Sequence, residues 1–241
     1  MNDQYVENHS IGDINAGVKT RKMKDASIIK VQQEYINKIK GTKEKYYIVH
    51  QDMEMVILPK VFPPYVDSHL MIASIDIPDN SVVLDACSGS GIIALHASRK
   101  AKIVYATDIN RHAIENINEN IALHGLHDKV KAFEANIFPP HSGLKFDIIT
   151  INPPYTDHKA LDIVEKSVWD EDHKSLKHFF GKVSRYLTKN GKIYLGWADF
   201  ADVKVISSLC QQHHLKERIV GETNDDKSLF VVFEISKMDN L

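Results

Sequence analysis

The sequence predicts an α/β fold: a doubly wound, mostly parallel sheet of seven strands with an antiparallel last strand, preceded by a helix and a β-hairpin. Short apolar runs alternate with segments of helical periodicity, as in a parallel sheet covered by helices. Three runs end in polar residues: Asp85 before a glycine turn, Asp108, and Asn152 before two prolines. Ligands of such Rossmann-like sheets lie at the strands' carboxyl ends. We therefore expect these three features to meet in one crevice.

The first 60 residues are interpreted as an extension to a domain that spans residues 61–241. The extension begins with a polar arm that we expect to be flexible. Apolar residues at helical spacing over residues 25–41 predict an amphipathic helix, and two short runs, 46–49 and 54–58, predict a hairpin. The helix and hairpin are expected to pack on the core or to form a lid over the crevice.

The N-terminal extension is basic, although the whole chain is nearly neutral. The formal net charge is −2 and the sequence pI is about 6.7, whereas strongly basic nucleic-acid-binding domains have a high pI. The basic segment is either a solvated helix face or an arm that meets RNA, DNA or an acidic protein. Its basic residues are Lys19, Arg21, Lys22, Lys24, Lys30, Lys38, Lys40, Lys43 and Lys45.

Strands and helices alternate through the rest of the chain, after a proline-containing linker and a helix at 67–74. A polar segment from Thr156 to Glu171 interrupts this alternation and is expected to be mobile, with Trp169 as its hydrophobic anchor. The expected strands are 81–85, 102–107, 129–134, 146–151, 192–197, 215–221 and 228–236, and the expected helices are 91–99, 110–124, 175–187 and 201–212.

The four residues from Asn152 to Tyr155 can hold a planar –NH2 group. The Asn152 side-chain oxygen and the Pro153 carbonyl are acceptors for its two hydrogens. Proline fixes φ and carries no backbone N–H, so these acceptors have a stiff support. Tyr155 offers a flat face to a base or an amide. The simpler alternative is a turn that only ends a strand.

Two cofactor classes are compatible with the glycine turn. The run from Gly89 to Ala94 fits the G-x-G-x-x-A pattern of nicotinamide dinucleotide sites, and Asp108 has the spacing of their ribose carboxylate. A dehydrogenase is therefore a rival interpretation. However, Asp85 just before the turn would repel a pyrophosphate bound at the helix N-terminus. S-adenosyl-L-methionine has no phosphate and carries a sulfonium and an ammonium group, so the electrostatics favour it.

Together, these motifs resemble those of class I S-adenosylmethionine-dependent methyltransferases of the HemK-like, small-domain (MTS) group with an NPPY motif. That group includes glutamine N5-methyltransferases of release factors and adenine N6-methyltransferases of RNA and DNA. The resemblance rests on Asp85–Gly91, Ala106–Asn110, Glu134–Phe138, Asn152–Tyr155 and, before the core, Leu58–Tyr65 with Asp67 and Ser68.

The resemblance implies roles for residues at the strand ends. Asp85, Gly89 and Gly91 would hold the methionine end of S-adenosyl-L-methionine, Asp108 the ribose hydroxyls, and Asn136 the adenine amine. The implied catalytic residues, which present the target nitrogen, are Asn152, Pro153 and Tyr155. The implied cofactor contacts are Asp85, Cys87, Gly89, Gly91, Asp108, Ile109, Asn136, Ile137 and Asn152.

Three positions depart from the family pattern. Cys87 stands where a glycine is frequent, and Asn136 where an aspartate is more usual, although its amide still offers adenine an acceptor. Release-factor enzymes carry a basic-plus-acidic signature before the core, whereas Pro63, Pro64 and Tyr65 occupy that stretch here. This difference weakens an assignment to release factors.

The implied activity is N-methylation of a planar amide or amine nitrogen, most favoured in a protein glutamine or a nucleobase. A small-molecule metabolite is an alternative acceptor, and a non-catalytic S-adenosylmethionine-binding protein is an alternative from another class. Methyl transfer from a sulfonium depends on positioning more than on acid–base catalysis, and the sequence shows no other catalytic dyad. It leaves the oligomeric state open.

The composition argues against several other classes. We expect no membrane span, because no apolar run is long enough, and no signal peptide. Cys87 and Cys210 lie far apart, so we expect no disulfide and a reducing, cytoplasmic location. The thirteen histidines show no ligand spacing typical of metal sites, so we expect no metal.

Overall fold

The computed structural model of the protein describes residues 25–141, 143–225 and 228–238. Within them the helices are α1 (Asp25–Gly41), α2 (Val66–Ser74), α3 (Ile92–Ala97), α4 (Arg111–His124), α5 (Lys174–Val183) and α6 (Lys204–Gln212). The strands are β1 (Tyr46–His50), β2 (Met53–Ile57), β3 (Val82–Ala86), β4 (Ile103–Asp108), β5 (Val130–Glu134), β6 (Phe146–Ile151), β7 (Leu187–Ala198), β8 (Leu215–Asn224) and β9 (Leu229–Lys237). Short 3-10 turns at Glu165–Ser167 and Glu171–His173 precede α5.

Seven strands form the main sheet in the order β5-β4-β3-β6-β7-β9-β8. The pairs from β5 to β7 are parallel, and β9 runs antiparallel to both β7 and β8. This topology confirms the predicted fold class, including the antiparallel last strand. The chain leaves β3 toward β4 on one side and returns as β6 on the other, so the switch point where ligands bind lies at the ends of β3 and β6.

The central strands are apolar because helices cover the sheet. Val83, Leu84 and Ala86 of β3 are fully buried, as are Ile149 and Ile151 of β6. Strands that are buried on both faces have such near-continuous apolar runs. On the second half of the sheet, α2 packs against β7, β8 and β9, while α6 packs against β8 and α5.

The boundary between α5 and β7 lies earlier in the chain than the sequence predicts. Strand β7 begins at Leu187 rather than at residue 192, and α5 therefore ends at Val183 instead of 187. The pairing of β7 with β6 is irregular in this early part. There Gly191 lies so close to β6 that an added Cβ would come within 2.8 Å of the Phe146 carbonyl oxygen. The arm that is expected to be flexible lies outside the described residues, as do Lys19, Arg21, Lys22 and Lys24 of the basic segment.

The hairpin formed by β1 and β2 is fixed on α4 by two buried asparagines. Asn120 accepts a hydrogen bond from Val56 N at 2.8 Å and donates to Val56 O at 3.0 Å, while Asn116 accepts from Leu58 N at 2.7 Å. Both amides also donate to the carbonyl oxygen of Ser90, in the glycine turn. Thus α4 joins the hairpin to the turn through satisfied polar groups.

Replacing Asn120 by Ala is expected to reduce the free energy of unfolding by about 2 kcal/mol. The substitution leaves the buried N–H and C=O of Val56 without their partner, and each unsatisfied buried group costs about 1–3 kcal/mol. Urea unfolding measures the loss. Asn118→Ala, at an exposed position of the same helix, is the matched control and should change stability by less than about 0.5 kcal/mol. Equal effects of the two substitutions would contradict this role.

Candidate functional site

A cavity of about 640 Å³ opens at the carboxyl ends of β3, β4 and β6. The volume falls within the range of roughly 300–1,000 Å³ that is typical of ligand sites. The three sequence motifs meet there, as the strand order requires. The sequence-predicted residues that line the cavity are Cys87, Gly89, Asp108, Ile109, Asn136, Ile137, Asn152, Pro153 and Tyr155. Asp85 and Gly91 do not line it.

In the glycine turn between β3 and α3, every second residue has a left-handed backbone conformation. The φ angles of Cys87, Gly89 and Gly91 are 56°, 54° and 87°. Gly91 also has no room for a side chain, because an added Cβ would come within 2.9 Å of Ile117 on α4. Gly91 therefore contributes to the site by allowing the turn to approach α4 closely.

The left-handed backbone conformation at Cys87 explains why the family pattern frequently has a glycine at this position. A left-handed conformation costs a residue with a Cβ about 1–2 kcal/mol, and glycine avoids this cost. The thiol is also an unreactive one. Burial, with the carboxylates of Asp108 and Asp85 nearby, raises the pKa of Cys87 well above its ordinary value. The side chain therefore stays protonated and forms an apolar part of the cavity wall.

Asp85 lies beneath the turn. Only 1 % of its surface is exposed, and its carboxylate accepts hydrogen bonds from the hydroxyls of Ser88 and, at 2.7 Å, of Thr150. Burial raises the pKa of Asp85 to about 6, and the two hydroxyl bonds partly oppose this rise. The carboxylate thus ties the turn to the end of β6, rather than facing the cavity.

Asp108, at the end of β4, holds the turn from the cavity side. Its carboxylate accepts hydrogen bonds from Gly89 N at 2.9 Å and from Asn110 N at 2.8 Å. Burial raises the pKa of Asp108, and the backbone N–H bonds partly offset that rise. Asn110 then caps α4 by accepting from His112 N. One residue therefore links the turn, β4 and the start of α4.

Asn152 is held by a buried carboxylate that the sequence did not assign to the site. Its amide nitrogen donates to Asp67 Oδ2 at 3.0 Å. The Tyr155 hydroxyl lies 2.9 Å from the same oxygen and within hydrogen-bonding distance of Asn152 Oδ1, so its single proton serves one acceptor at a time. Because the nitrogen of the amide points to Asp67, the orientation of the Asn152 oxygen is fixed.

The absence of a side chain at Gly196 in β7 leaves room for this hydrogen-bonded network. A Cβ added to Gly196 would lie 2.6 Å from Asn152 Oδ1 and 3.0 Å from Met71 Sδ. The ring of Tyr155 packs edge to face on Trp197, with ring centroids 5.4 Å apart. Burial and Asp67 raise the pKa of Tyr155 well above its ordinary value, so the phenol remains a hydroxyl.

Helix α1 and the segment 156–169 form the remaining wall of the cavity. Gln32 donates to Thr156 Oγ1 at 2.7 Å and accepts from Trp169 Nε1 at 2.9 Å, while Lys40 pairs with Asp162 and Glu165. Trp169 is buried, as an anchor should be. These contacts pack the segment against α1, whereas its expected mobility stays a prediction. The hairpin residues do not line the cavity.

Comparison with known proteins identifies the family. The model of the methyltransferase small domain family matches residues 57–224, which is more than half of the chain. The chain belongs to the methyltransferase small domain family. The matched region includes all the strands of the main sheet up to β8 and every sequence-predicted site residue.

Two curated relatives of this methyltransferase small domain protein are named as glutamine methyltransferases. It is 34% identical over 128 residues to the ribosomal protein uL3 glutamine methyltransferase of Francisella tularensis, covering 48% of this chain and 41% of the relative. It is 38% identical over 91 residues to the release factor glutamine methyltransferase of Aquifex aeolicus, covering 37% and 32%. The matches thus span less than half the length of either relative.

Solved structures share the fold at low sequence identity. The 16S rRNA N2 G1207 methyltransferase of T. thermophilus, in complex with AdoMet and guanosine, superposes with a TM-score of 0.63 at 16% identity, covering 81% of this chain and 50% of that one. The tRNA m1G37 methyltransferase of M. jannaschii gives 0.58 at 19% identity, covering 83% and 58%.

Three further findings concern the described residues. Cys87 and Cys210 are both free thiols. Among residues 25–141, 143–225 and 228–238, no three or more His, Cys, Asp and Glu side chains lie together as metal ligands would. In the same part of the chain, no helix combines the length and the apolarity needed to cross a membrane.

Asp85→Asn is expected to flatten the pH dependence of stability. Because the folded state raises the pKa of Asp85 from 3.8 to about 6, the folded protein binds this proton more tightly. The stability tied to that proton is present below about pH 3.8 and is lost as the pH rises past about 6. Two pKa units correspond to about 3 kcal/mol. Urea unfolding at about pH 4 and pH 7 should show a smaller difference for the variant, and parallel pH profiles would refute this.

Proposed function

We propose that this protein is an S-adenosylmethionine-dependent N-methyltransferase that acts on the planar amide or amine nitrogen of a protein glutamine or a nucleobase. The observation that carries this proposal is the Asn152 amide, which a buried carboxylate orients at the edge of the cavity. The family match and the names of the two curated relatives support the same chemistry.

The donor set of the glycine turn supports S-adenosylmethionine rather than a dinucleotide. A pyrophosphate needs free backbone N–H groups at the turn, whereas Gly89 N already donates to Asp108. Asp108 would hold the ribose hydroxyls, with Ile109, Asn136 and Ile137 around the adenine. When bound, this cofactor supplies a methyl group activated by a sulfonium. Asp85 would act indirectly, by fixing the turn.

The protein's contribution to the transfer is positioning. The oxygens of Asn152 and Pro153 would accept the two N–H groups of the acceptor, which favours a pyramidal nitrogen with an available lone pair. Asp67 fixes the amide so that Asn152 presents an oxygen rather than its NH2. Holding reactants in a near-attack geometry can lower a barrier by about 7–11 kcal/mol. The proton that the nitrogen loses can pass to water, so no dedicated base is needed.

We also propose that α1, which belongs to the extension at residues 1–60, forms a wall that closes the site. Ile28, Gln32 and Tyr35 line the cavity, so this helix limits access of water to it. Two of the five described lysines of the basic segment, Lys40 and Lys45, are in ion pairs with acidic residues of the domain. These pairs support docking of the extension on the domain.

A non-catalytic binding role has less support. A protein that only bound the cofactor would not need Asn152, Asp67 and Tyr155 in one buried network. We also propose a cytoplasmic location, which the two free thiols support.

Titration calorimetry should show binding of S-adenosyl-L-methionine and none of NAD⁺ at comparable concentrations. The physical reason is that Asp85 and Asp108 disfavour phosphate and favour a cationic ligand. Asp108→Ala should weaken binding by roughly tenfold or more, since it loses the ribose acceptor and a partner of Gly89. Asp128→Ala, at an exposed position beyond α4, serves as the control. Preferential binding of NAD⁺ would sink the proposal.

Asn152→Ala should reduce methyl transfer by on the order of 100-fold while cofactor affinity changes little. Misplacing the nitrogen that accepts the methyl group lowers the rate of transfer by a factor of this order. Asp67→Ala should also reduce kcat, by at least about tenfold, because the amide loses its fixed orientation. The measurement is transfer of labelled methyl groups into separated protein, RNA, DNA and metabolite fractions. Transfer at the full rate by Asn152→Ala would show that the amine clamp is wrong.

A further inference from the structure

Five of the seven aromatic side chains that line the cavity form a continuous series of ring contacts, and only one of the five was predicted as a site residue. In spatial order they are Tyr155, Phe200, Phe230, Tyr65 and Tyr35, and we call them the aromatic arc. Successive ring centroids lie 5.9, 6.3, 6.2 and 6.0 Å apart. The rings come from α1, from β9, and from three connecting segments, so the fold as a whole assembles the arc.

The arc is adjacent to the amine clamp. Tyr155 is its first ring and contacts Asn152, while Tyr65 lies two residues before Asp67 at the start of α2. The planes of successive rings are inclined by 56° to 86°, so no ring in the arc lies flat on its neighbour. The arc therefore forms an aromatic wall next to the oxygen that would hold the acceptor nitrogen.

The charges around the cavity select against phosphate. Only two of the described lining residues are basic, Lys166 and Lys174, and Lys174 is paired with Glu171. Carboxylates outnumber these lysines, so a polyanion inside the cavity would be repelled whereas an uncharged ring would not. The lining carboxylates are Asp67, Asp108, Asp170, Glu171 and Asp225.

We propose that the aromatic arc is an acceptor subsite for a flat heteroaromatic ring, so that the methylated nitrogen is an amine carried by such a ring. This inference rests on the proposed function and selects one of its two acceptor classes. Aromatic side chains hold bases by stacking, which is favourable for any flat ring. The side chain of glutamine has only aliphatic methylenes beside its amide, and it gains nothing comparable from five rings.

Methylation of a ring amine needs no reactant besides the cofactor and the amine. The nitrogen lone pair forms the new N–CH3 bond, the electron pair of the broken C–S bond stays on sulfur as a thioether, and one amine proton leaves to water. The ring could belong to an unpaired nucleotide or to a free metabolite. In the first case, the acidic cavity requires the phosphates to remain outside it.

Substitution of Tyr65, with a control at another tyrosine, tests the subsite. Tyr65 is 42% exposed, so the fold tolerates its replacement. Tyr65→Leu removes a stacking ring and should raise the KM for a ring-bearing acceptor about tenfold, with the affinity for S-adenosyl-L-methionine unchanged. The control is Tyr47→Leu, at an exposed tyrosine of β1 that does not line the cavity, and its KM should stay within about twofold of wild type. Equal KM values for wild type and Tyr65→Leu would overturn the subsite.

The acceptor class is tested with labelled S-adenosyl-L-methionine and separate RNA, DNA, metabolite and protein fractions of a cell extract. Label on a ring amine in the nucleic-acid or metabolite fractions supports the subsite, and the fraction identifies the source of the ring. Label only on protein glutamine overturns the subsite and leaves the proposed function intact. Absence of label from every ring-bearing fraction also overturns it. Failure to bind S-adenosyl-L-methionine removes both proposals.

Discussion

The buried carboxylate of Asp67 is the constraint on which the arrangement of the site depends. A buried charge is costly unless hydrogen bonds compensate it, and Asp67 accepts bonds from Ser68, Asn152 and Tyr155. These partners come from α2 and from the segment that follows β6, so the carboxylate fixes one element against the other. Gly196 leaves the space that this network occupies. Removing Asp67 would leave Asn152 free to turn its NH2 toward an acceptor amine, where it would repel rather than bind.

A second consequence of buried carboxylates is a negative potential around the cavity. Burial raises the pKa of both Asp85 and Asp108, which means that the folded protein holds their charges at a cost. A cationic ligand reduces that cost, whereas a phosphate adds to it. The same potential affects both ends of the cavity. It would favour the sulfonium-bearing cofactor that we propose near the glycine turn and the uncharged acceptor ring that we propose near the aromatic arc.

The sequence predicts this fold well, because the central strands are buried on both faces and their apolar runs are unmistakable. It also predicts that three strand ends converge, since parallel strands place their ends at one edge. Contacts between distant segments have no such local signal. Nothing near Asp67 or Gly196 indicates their contact with Asn152, and the rings of the arc are spread from Tyr35 to Phe230. Likewise, nothing within the polar segment 156–169 indicates that it packs against α1, because α1 lies more than 100 residues away in sequence.

Helix α1 covers one side of the cavity but does not belong to the main core. Its buried residues Ile36 and Ile39 pack with Val164 and Trp169 in a small cluster that is separate from the main core. Segments with few buried apolar contacts open at a lower free energy than the global core does. Gln32 bonds to both ends of segment 156–169 and so holds the segment to α1. The helix and the segment must therefore move away from the main sheet as one unit. Opening of this wall would leave Asn152, Asp108 and the glycine turn in place, because they are held by contacts within the main domain.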